Sequence, residues 1–144
     1  MYNYVNQEAF LIKNEKNDDA VSKIKKNLFT PDIGFTNGTI FKCLYEPYKN
    51  YTPSKPTASN EKDRALLAVQ MYGAALHDMN LYLDVFPNDR EALKIRKEYY
   101  EKYKRAKDEY EEKYSPYCLL SDFSETKPFG FSSEDFPWNK RGSM

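Results

Sequence analysis

The sequence predicts an all-α fold centred on a two-helix antiparallel hairpin, with helices at about 61–85 and 89–114. Three observations predict it. Apolar residues recur at helical spacing along both segments, and a turn that contains Pro87 separates them. The second segment also carries opposite charges four residues apart, which stabilise a helix from within. A short N-terminal helix and irregular, aromatic-rich arms complete the expected architecture.

Residues 1–56 form the first of three predicted regions and contain the short helix. Two adjacent aspartates, at positions 18 and 19, are suited to cap that helix. Asn37-Gly38 further on predicts a tight turn. The apolar positions of the helix and of the stretch after the turn are Ala20, Val21, Ile24, Leu28, Ile40, Phe41, Leu44, Tyr45 and Tyr48. We expect this region to pack poorly on its own.

A linker at 49–60 leads into the hairpin, and residues 57–116 form the second region. Pro53 and Pro56 lie among small polar residues of the linker. Either Asn60, with Asp63 three positions on, or Ser59 is expected to cap the first helix. That helix carries two apolar seams, which are Ala65, Ala68, Tyr72, Ala75, Met79 and Tyr82, and Leu66, Val69, Gly73, Leu76, Asn80 and Leu83.

A sharp turn is expected between the two helices. Pro87 disfavours helical geometry in the residue before it, so the first helix should stop by about Val85. Asn88 is expected to cap the second helix, with the side chain of Glu91 reaching back to the cap. The predicted turn residues are Asp84, Pro87, Asn88, Asp89 and Glu91.

The second helix is dominated by charged residues and tyrosines. The pairs Glu98–Lys102, Glu101–Arg105 and Glu109–Lys113 are each worth roughly 0.2–0.5 kcal/mol, so the charges indicate a solvated face. The uncharged stripe contains Ala92, Leu93, Tyr99, Tyr100, Tyr103, Ala106, Tyr110 and Tyr114. Packing against the first helix is the expected role of the tyrosines, and oxidative crosslinking is the alternative. Pro116 should end the helix.

The hairpin by itself should be marginally stable. A half-buried tyrosine contributes about 1–2 kcal/mol, whereas ordering the backbone costs roughly 1–2 kcal/mol per residue. We therefore expect the N-terminal segment, the tail, a second copy or a foreign partner to cover the apolar face. The expected partner-binding residues are Leu66, Val69, Tyr72, Leu76, Met79, Tyr82, Leu83, Tyr99, Tyr103, Tyr110 and Trp138.

The third region, residues 117–144, is a tail with aromatic residues among proline, glycine, serine and acidic positions. Its aromatic side chains include Phe123, Phe129, Phe131, Phe136 and Trp138. Such a segment can lie across a helical surface as an extended strap. The surface is either this chain's own hairpin or a partner.

Composition excludes several classes of function. With 22 basic and 22 acidic residues, the formal net charge is zero, which argues against a dedicated nucleic-acid binder and against electrostatic membrane docking. We find no long apolar run and no signal-peptide pattern, so we expect synthesis and retention in the cytoplasm. Cys43 and Cys118 are expected to be reduced, partly buried thiols, with a late disulfide or intermolecular crosslink as the alternative.

The sequence predicts neither a catalytic site nor a cofactor or metal site. His77 is the only histidine, and it shares a helical stripe with Asn80 and Asp84. One imidazole and one carboxylate are too few for a closed metal site, so a hydrogen-bond network or an interface patch is expected there. The Glu-x-x-His pattern of carboxylate di-metal bundles is absent from the sequence, and a nucleophile triad has no third member. We expect a protein that is not an enzyme.

Two parts of the sequence resemble known families. The run HDMNLYLDVFPNDREAL, followed by a helix ending in EYEEKYSP, is similar to the CotJB family of bacterial spore-coat proteins. Phe136-Pro137-Trp138 is similar to the Trp/Pro-rich ends of that family. In the N-terminal segment, NGTIFKCLYEPY, preceded by GF, is similar to the core of the CotJA family.

These resemblances imply a structural or assembly protein of the spore coat, made in the mother-cell cytoplasm and deposited on the forespore. Its implied partners are other coat proteins, including a CotJC-like manganese-catalase-like protein, with possible self-association and no nucleic acid or membrane. The alternative is an accessory subunit that binds such an enzyme and modulates it.

Overall fold

The structure is a computed structural model that describes residues 20–130, and the regular secondary structure in that range is helical. Four α-helices follow one another: α1 (Ala20–Asn27), α2 (Pro31–Asn37), α3 (Glu61–Val85) and α4 (Arg90–Lys113). Two short 3₁₀ turns lie at Lys42–Leu44 and Asp122–Ser124. The prediction of an all-α fold is confirmed, since residues 20–130 contain no strand, only an isolated bridge between Leu28 and Phe41.

Helices α3 and α4 pack against each other along their lengths and form the predicted hairpin. Asn60 caps α3, because its side chain accepts a hydrogen bond from the Asp63 backbone N–H at 2.7 Å. The helix ends at Val85, as the proline two residues later predicts. None of the described helices has the length and apolar character that crossing a membrane requires.

The N-terminal segment covers one face of the hairpin. Helix α1 packs on α4, and α2 packs on α3. Three side chains from this segment join the core, which consists of Leu28, Ile40, Phe41, Ala75, Met79, Ala92, Ile95 and Tyr99. Of the predicted candidates for covering the hairpin, the N-terminal segment therefore does so on this face.

The sequence-based interpretation missed helix α2. Its last residue is Asn37, and Gly38 follows in the left-handed conformation at φ 84°, so the predicted turn is the C-terminal cap of a helix. Gly34 lies inside the helix, where a Cβ atom would come within 2.7 Å of Ile40 Cγ2. A glycine at this position lowers helix propensity, but it allows the backbone to approach Ile40 closely.

After α4 the chain folds back over the end of the hairpin. The helix ends at Lys113, and Ser115 and Pro116 are buried. The Tyr117 backbone N–H donates to Glu111 Oε1 at 2.7 Å, while Glu111 Oε2 lies 3.7 Å from Lys107 Nζ. These contacts hold the first part of the tail against the last turns of α4.

Candidate partner-binding surface

The predicted partner-binding residues divide into an interior and a half-buried group. Val69, Met79, Tyr99 and Tyr110 are buried within this chain, where they support the fold from inside. Trp138 lies outside the described residues. The half-buried residues, for which partner binding stays a prediction, are Leu66, Tyr72, Leu76, Tyr82, Leu83 and Tyr103.

The prediction that Asn88 caps α4 is wrong, because Asp89 takes that position. Asp89 Oδ1 accepts hydrogen bonds from the backbone N–H groups of Glu91 and Ala92, both at 3.0 Å. The Asp89 N–H donates to Phe86 O at 3.2 Å, so the turn contains one more residue before the helix begins. The side chain of Glu91 makes its ion pair with Lys94, at 3.3 Å, and forms no capping box with Asp89.

Asp89 also joins the two helices, since its Oδ2 accepts a hydrogen bond from the Tyr82 hydroxyl at 2.9 Å. The Tyr82 ring stacks on Phe41, with 5.5 Å between ring centroids, and lies tilted against Phe86, with 4.9 Å between ring centroids. Burial, together with the bonded carboxylate, raises the pKa of Tyr82 above its ordinary value. The hydroxyl therefore stays protonated and remains a hydrogen-bond donor. Through Tyr82, the turn contacts both α3 and the N-terminal segment.

The predicted polar stripe on α3 contributes to the hairpin through its middle member. Asn80 Oδ1 accepts a hydrogen bond from Arg96 Nε at 2.6 Å, which joins α3 to α4. His77 and Asp84 are exposed on either side of it. Within residues 20–130, histidine, cysteine, aspartate and glutamate side chains form no group of three or more that could hold a metal ion.

The uncharged stripe of α4 is rotated relative to the prediction. Ile95, which the predicted stripe did not include, is buried, whereas Leu93 and Tyr100 are 45% and 46% exposed. Arg96 lies between them in sequence, with its guanidinium 6.0 Å from the centre of the Tyr100 ring. We call Leu93, Arg96 and Tyr100, which share one face of the helix, the α4 stripe.

A cavity and two exposed apolar side chains lie on one face of α3. A cavity of about 190 Å³ opens to solvent between α2 and α3. Its lining residues are Gly34, Phe35, Gly38, Ile40, Ala74, Ala75 and Asp78. Leu81 and Val85, which are 53% and 55% exposed, continue the same helical face beyond Ala74 and Asp78. We call the cavity together with Leu81 and Val85 the α3 groove.

One carboxylate lies among the apolar walls of the α3 groove. Asp78 Oδ2 accepts a hydrogen bond from the Ile40 backbone N–H at 2.9 Å, which attaches the N-terminal segment to α3. The sequence-based interpretation assigned Asp78, Leu81 and Val85 to no site. Their spacing of three and four residues was the available signal, but neither predicted seam includes these three positions.

The two thiols differ in exposure. Both are free, and Cys118 is half-buried as expected, whereas Cys43 is exposed and the prediction of partial burial is wrong for it.

Comparison with known proteins identifies the family. The sequence matches the family described as CotJB protein over residues 63–139, which is more than half of the chain. The match includes most of α3, the turn, α4 and much of the tail. Comparison with curated proteins and with solved structures gave no match. The similarity of the N-terminal segment to the CotJA family stays a prediction. The chain belongs to the CotJB protein family, which indicates a role related to the spore coat.

Proposed function

We propose that this protein is a non-enzymatic structural and assembly component of the spore coat that binds another coat protein through the α3 groove. The observation that carries the proposal is the exposure of Leu81 and Val85 beside an apolar cavity. Large apolar side chains grouped on one face of a helix are typical of protein–protein contact surfaces. Membership of the CotJB family supplies the coat setting.

Two acidic groups near the ends of α4 support a structural role. Glu111 accepts a hydrogen bond from the Tyr117 backbone N–H and forms an ion pair with Lys107. Asp89 accepts hydrogen bonds from the first backbone N–H groups of α4 and from the Tyr82 hydroxyl. These contacts hold the ends of α4 in place. His77, the only histidine in the sequence, is exposed.

The groove favours a partner segment with apolar side chains and one neighbouring cation. Its walls are largely apolar, and Asp78 places a carboxylate beside them. Since one oxygen of Asp78 already accepts from Ile40, the other is the group offered to a lysine or arginine of the partner. By family resemblance, a CotJC-like manganese-catalase-like protein is the first partner to test.

The test is a mass measurement by light scattering on this chain mixed with the CotJC-like protein of the same organism. We expect a stable mixed complex with the native chain and none with the double variant Leu81→Asp, Val85→Asp, which places charges in the contact. Leu120→Asp, at an exposed leucine of the tail, is the matched control and should still bind. A native chain that forms no complex, or a double variant that binds normally, would contradict the proposal.

Peroxide turnover of the CotJC-like protein separates assembly from modulation. Passive assembly predicts the same turnover with and without a saturating amount of this chain. A change in turnover that the groove variant abolishes would instead support the alternative, an accessory subunit that acts on the enzyme.

A further inference from the structure

We infer that the cavity between α2 and α3 binds a lysine side chain of the partner, with the alkyl stem inside the cavity and the ammonium group at Asp78. The inference deepens the proposed function and rests on it for the source of the lysine. The chemistry of the site, a carboxylate in the wall of a largely apolar cavity, belongs to this chain alone.

The cavity has room for such a side chain. Its volume is about 190 Å³, and an apolar cavity of roughly 150 Å³ already holds a benzene molecule. A lysine side chain, with four carbons and one nitrogen, is smaller than benzene. Ala74 and Asp78 both line the cavity and lie four residues apart on α3, which is about 6 Å along the helix axis. A four-carbon stem is long enough to follow that wall to the carboxylate.

The walls of the cavity suit an alkyl stem. Phe35 and Ile40 contribute large apolar side chains, while the alanines of α3 are small and leave the space between the helices unfilled. A Cβ atom added at Gly38 would meet nothing within 4 Å, whereas one at Gly34 would come within 2.7 Å of Ile40 Cγ2. The cavity therefore leaves room for an entering group beside Gly38 and is closely packed at Gly34.

Asp78 supplies a charge without a counterion. Its Oδ2 accepts a hydrogen bond from the Ile40 backbone N–H at 2.9 Å, which holds the carboxylate in place. None of the ion pairs among residues 20–130 includes Asp78. A positioned carboxylate next to apolar walls forms a charge-assisted hydrogen bond with a cation whose own hydration shell has been removed.

An ammonium group matches this carboxylate better than a guanidinium or a metal ion does. A guanidinium binds best when both carboxylate oxygens are available for its two parallel N–H groups, and Oδ2 of Asp78 is already engaged. A metal ion needs several ligands, and the described part of the chain has no group of three that could hold one. Lysine carries a compact charge on a flexible alkyl stem, which fits both the carboxylate and the cavity.

The test is a titration of the full chain with n-butylammonium chloride at constant ionic strength, followed by two-dimensional amide NMR. This probe has the four carbons and the ammonium group of a lysine side chain. We expect saturable shifts of the Gly38, Ala74 and Ala75 amides, with a dissociation constant on the order of 1–10 mM. The uncharged n-butanol should bind roughly tenfold more weakly. Absence of saturable shifts, or equal affinity for the alcohol, would overturn the inference.

Two variants separate the charge from the cavity. Asp78→Asn keeps an oxygen that can accept from the Ile40 N–H but removes the charge, so the affinity for n-butylammonium should fall roughly tenfold. Ala74→Leu fills the cavity and should abolish binding, while the unfolding temperature stays the same or rises. Leu81→Ala, on the same helix but outside the cavity lining, is the matched control and should bind normally. Native affinity in either of the first two variants would overturn the inference.

Light scattering with the CotJC-like protein separates this inference from the proposed function. Ala74→Leu should weaken the mixed complex roughly tenfold or more, because the lysine then has no cavity to enter. A native complex that Ala74→Leu leaves intact would overturn the lysine contact, although the proposed function would stand. If the native chain forms no complex, the proposed function fails, and the n-butylammonium titration by itself decides whether the cavity is a lysine site.

Discussion

At the scale of single residues, Asp89 both caps α4 and contacts α3. One carboxylate oxygen caps α4, and the other accepts from Tyr82, whose ring packs against the N-terminal segment. Pro87 and Asn88, by contrast, are exposed. The turn motif was recognisable in the sequence, but the capping residue was not, because Asn88 and Asp89 have similar capping preferences.

Asp89→Ala should lower the free energy of unfolding by about 1–2 kcal/mol, since α4 loses its cap and Tyr82 loses its acceptor. Asn88→Ala is the matched control, and its effect should stay within about 0.5 kcal/mol. Urea denaturation followed by circular dichroism measures both. An equal loss in the two variants would show that Asn88 shares the capping role.

Tyr82 should make the stability depend on pH in the alkaline range. Its pKa is raised in the folded state above the ordinary value of 10.0, so the stabilising contribution is complete below pH 10 and is lost as the pH rises further. Tyr82→Phe should therefore flatten the decline in the free energy of unfolding above pH 10. Tyr48→Phe, at an exposed tyrosine, should leave the decline unchanged. Urea titrations between pH 9 and 11 provide the comparison.

At the scale of helices, local signals predicted where α3 and α4 begin and end better than which side chains they bury. Asn60 and Pro87 act within a few residues of their own position, so the sequence alone was sufficient for them. The three ion pairs predicted within α4 are not formed among the described residues, and Glu98 lies 3.4 Å from Lys25 instead. The buried face of α4 depends on α1 and α3 together. For this reason Ile95 is interior, whereas Leu93 and Tyr100 are exposed.

Ile95→Ala should destabilise the protein by about 2–4 kcal/mol, because it leaves a cavity between α4 and the N-terminal segment. Leu81→Ala removes a side chain of similar size from an exposed position and should cost less than about 0.5 kcal/mol. Thermal and urea unfolding of the isolated chain distinguish the two. Similar losses of unfolding free energy in both variants would mean that the buried faces of α3 and α4 are assigned incorrectly.

At the scale of the whole molecule, a segment distant in sequence completes the core of the hairpin. Ile40 and Phe41 are buried against α3, and the Ile40 backbone is hydrogen-bonded to Asp78. The N-terminal segment thus buries part of the apolar face that two helices alone would leave exposed. It also creates the α3 groove, because α2 forms one wall of its cavity.

Phe41→Ala should cost about 3–5 kcal/mol, which is comparable to the whole stability of a small domain, so the protein should unfold or become strongly destabilised. Leu44→Ala, three residues later and half exposed, should be nearly neutral. Hydrogen exchange of α3 amides reports whether the hairpin opens with the N-terminal segment. A folded Phe41→Ala variant of native stability would show that the segment is dispensable.

The amino-acid sequence by itself determined that the chain is helical, where the hairpin helices lie, and which family it resembles. Caps, proline and helical spacing are local properties, and a family pattern is a property of the sequence. Only the tertiary structure decided that Asp89 is the cap, that Ile95 is inside, and that Asp78 lines a cavity between α2 and α3. The physical reason is that burial and hydrogen-bond partners depend on residues brought together from distant parts of the chain.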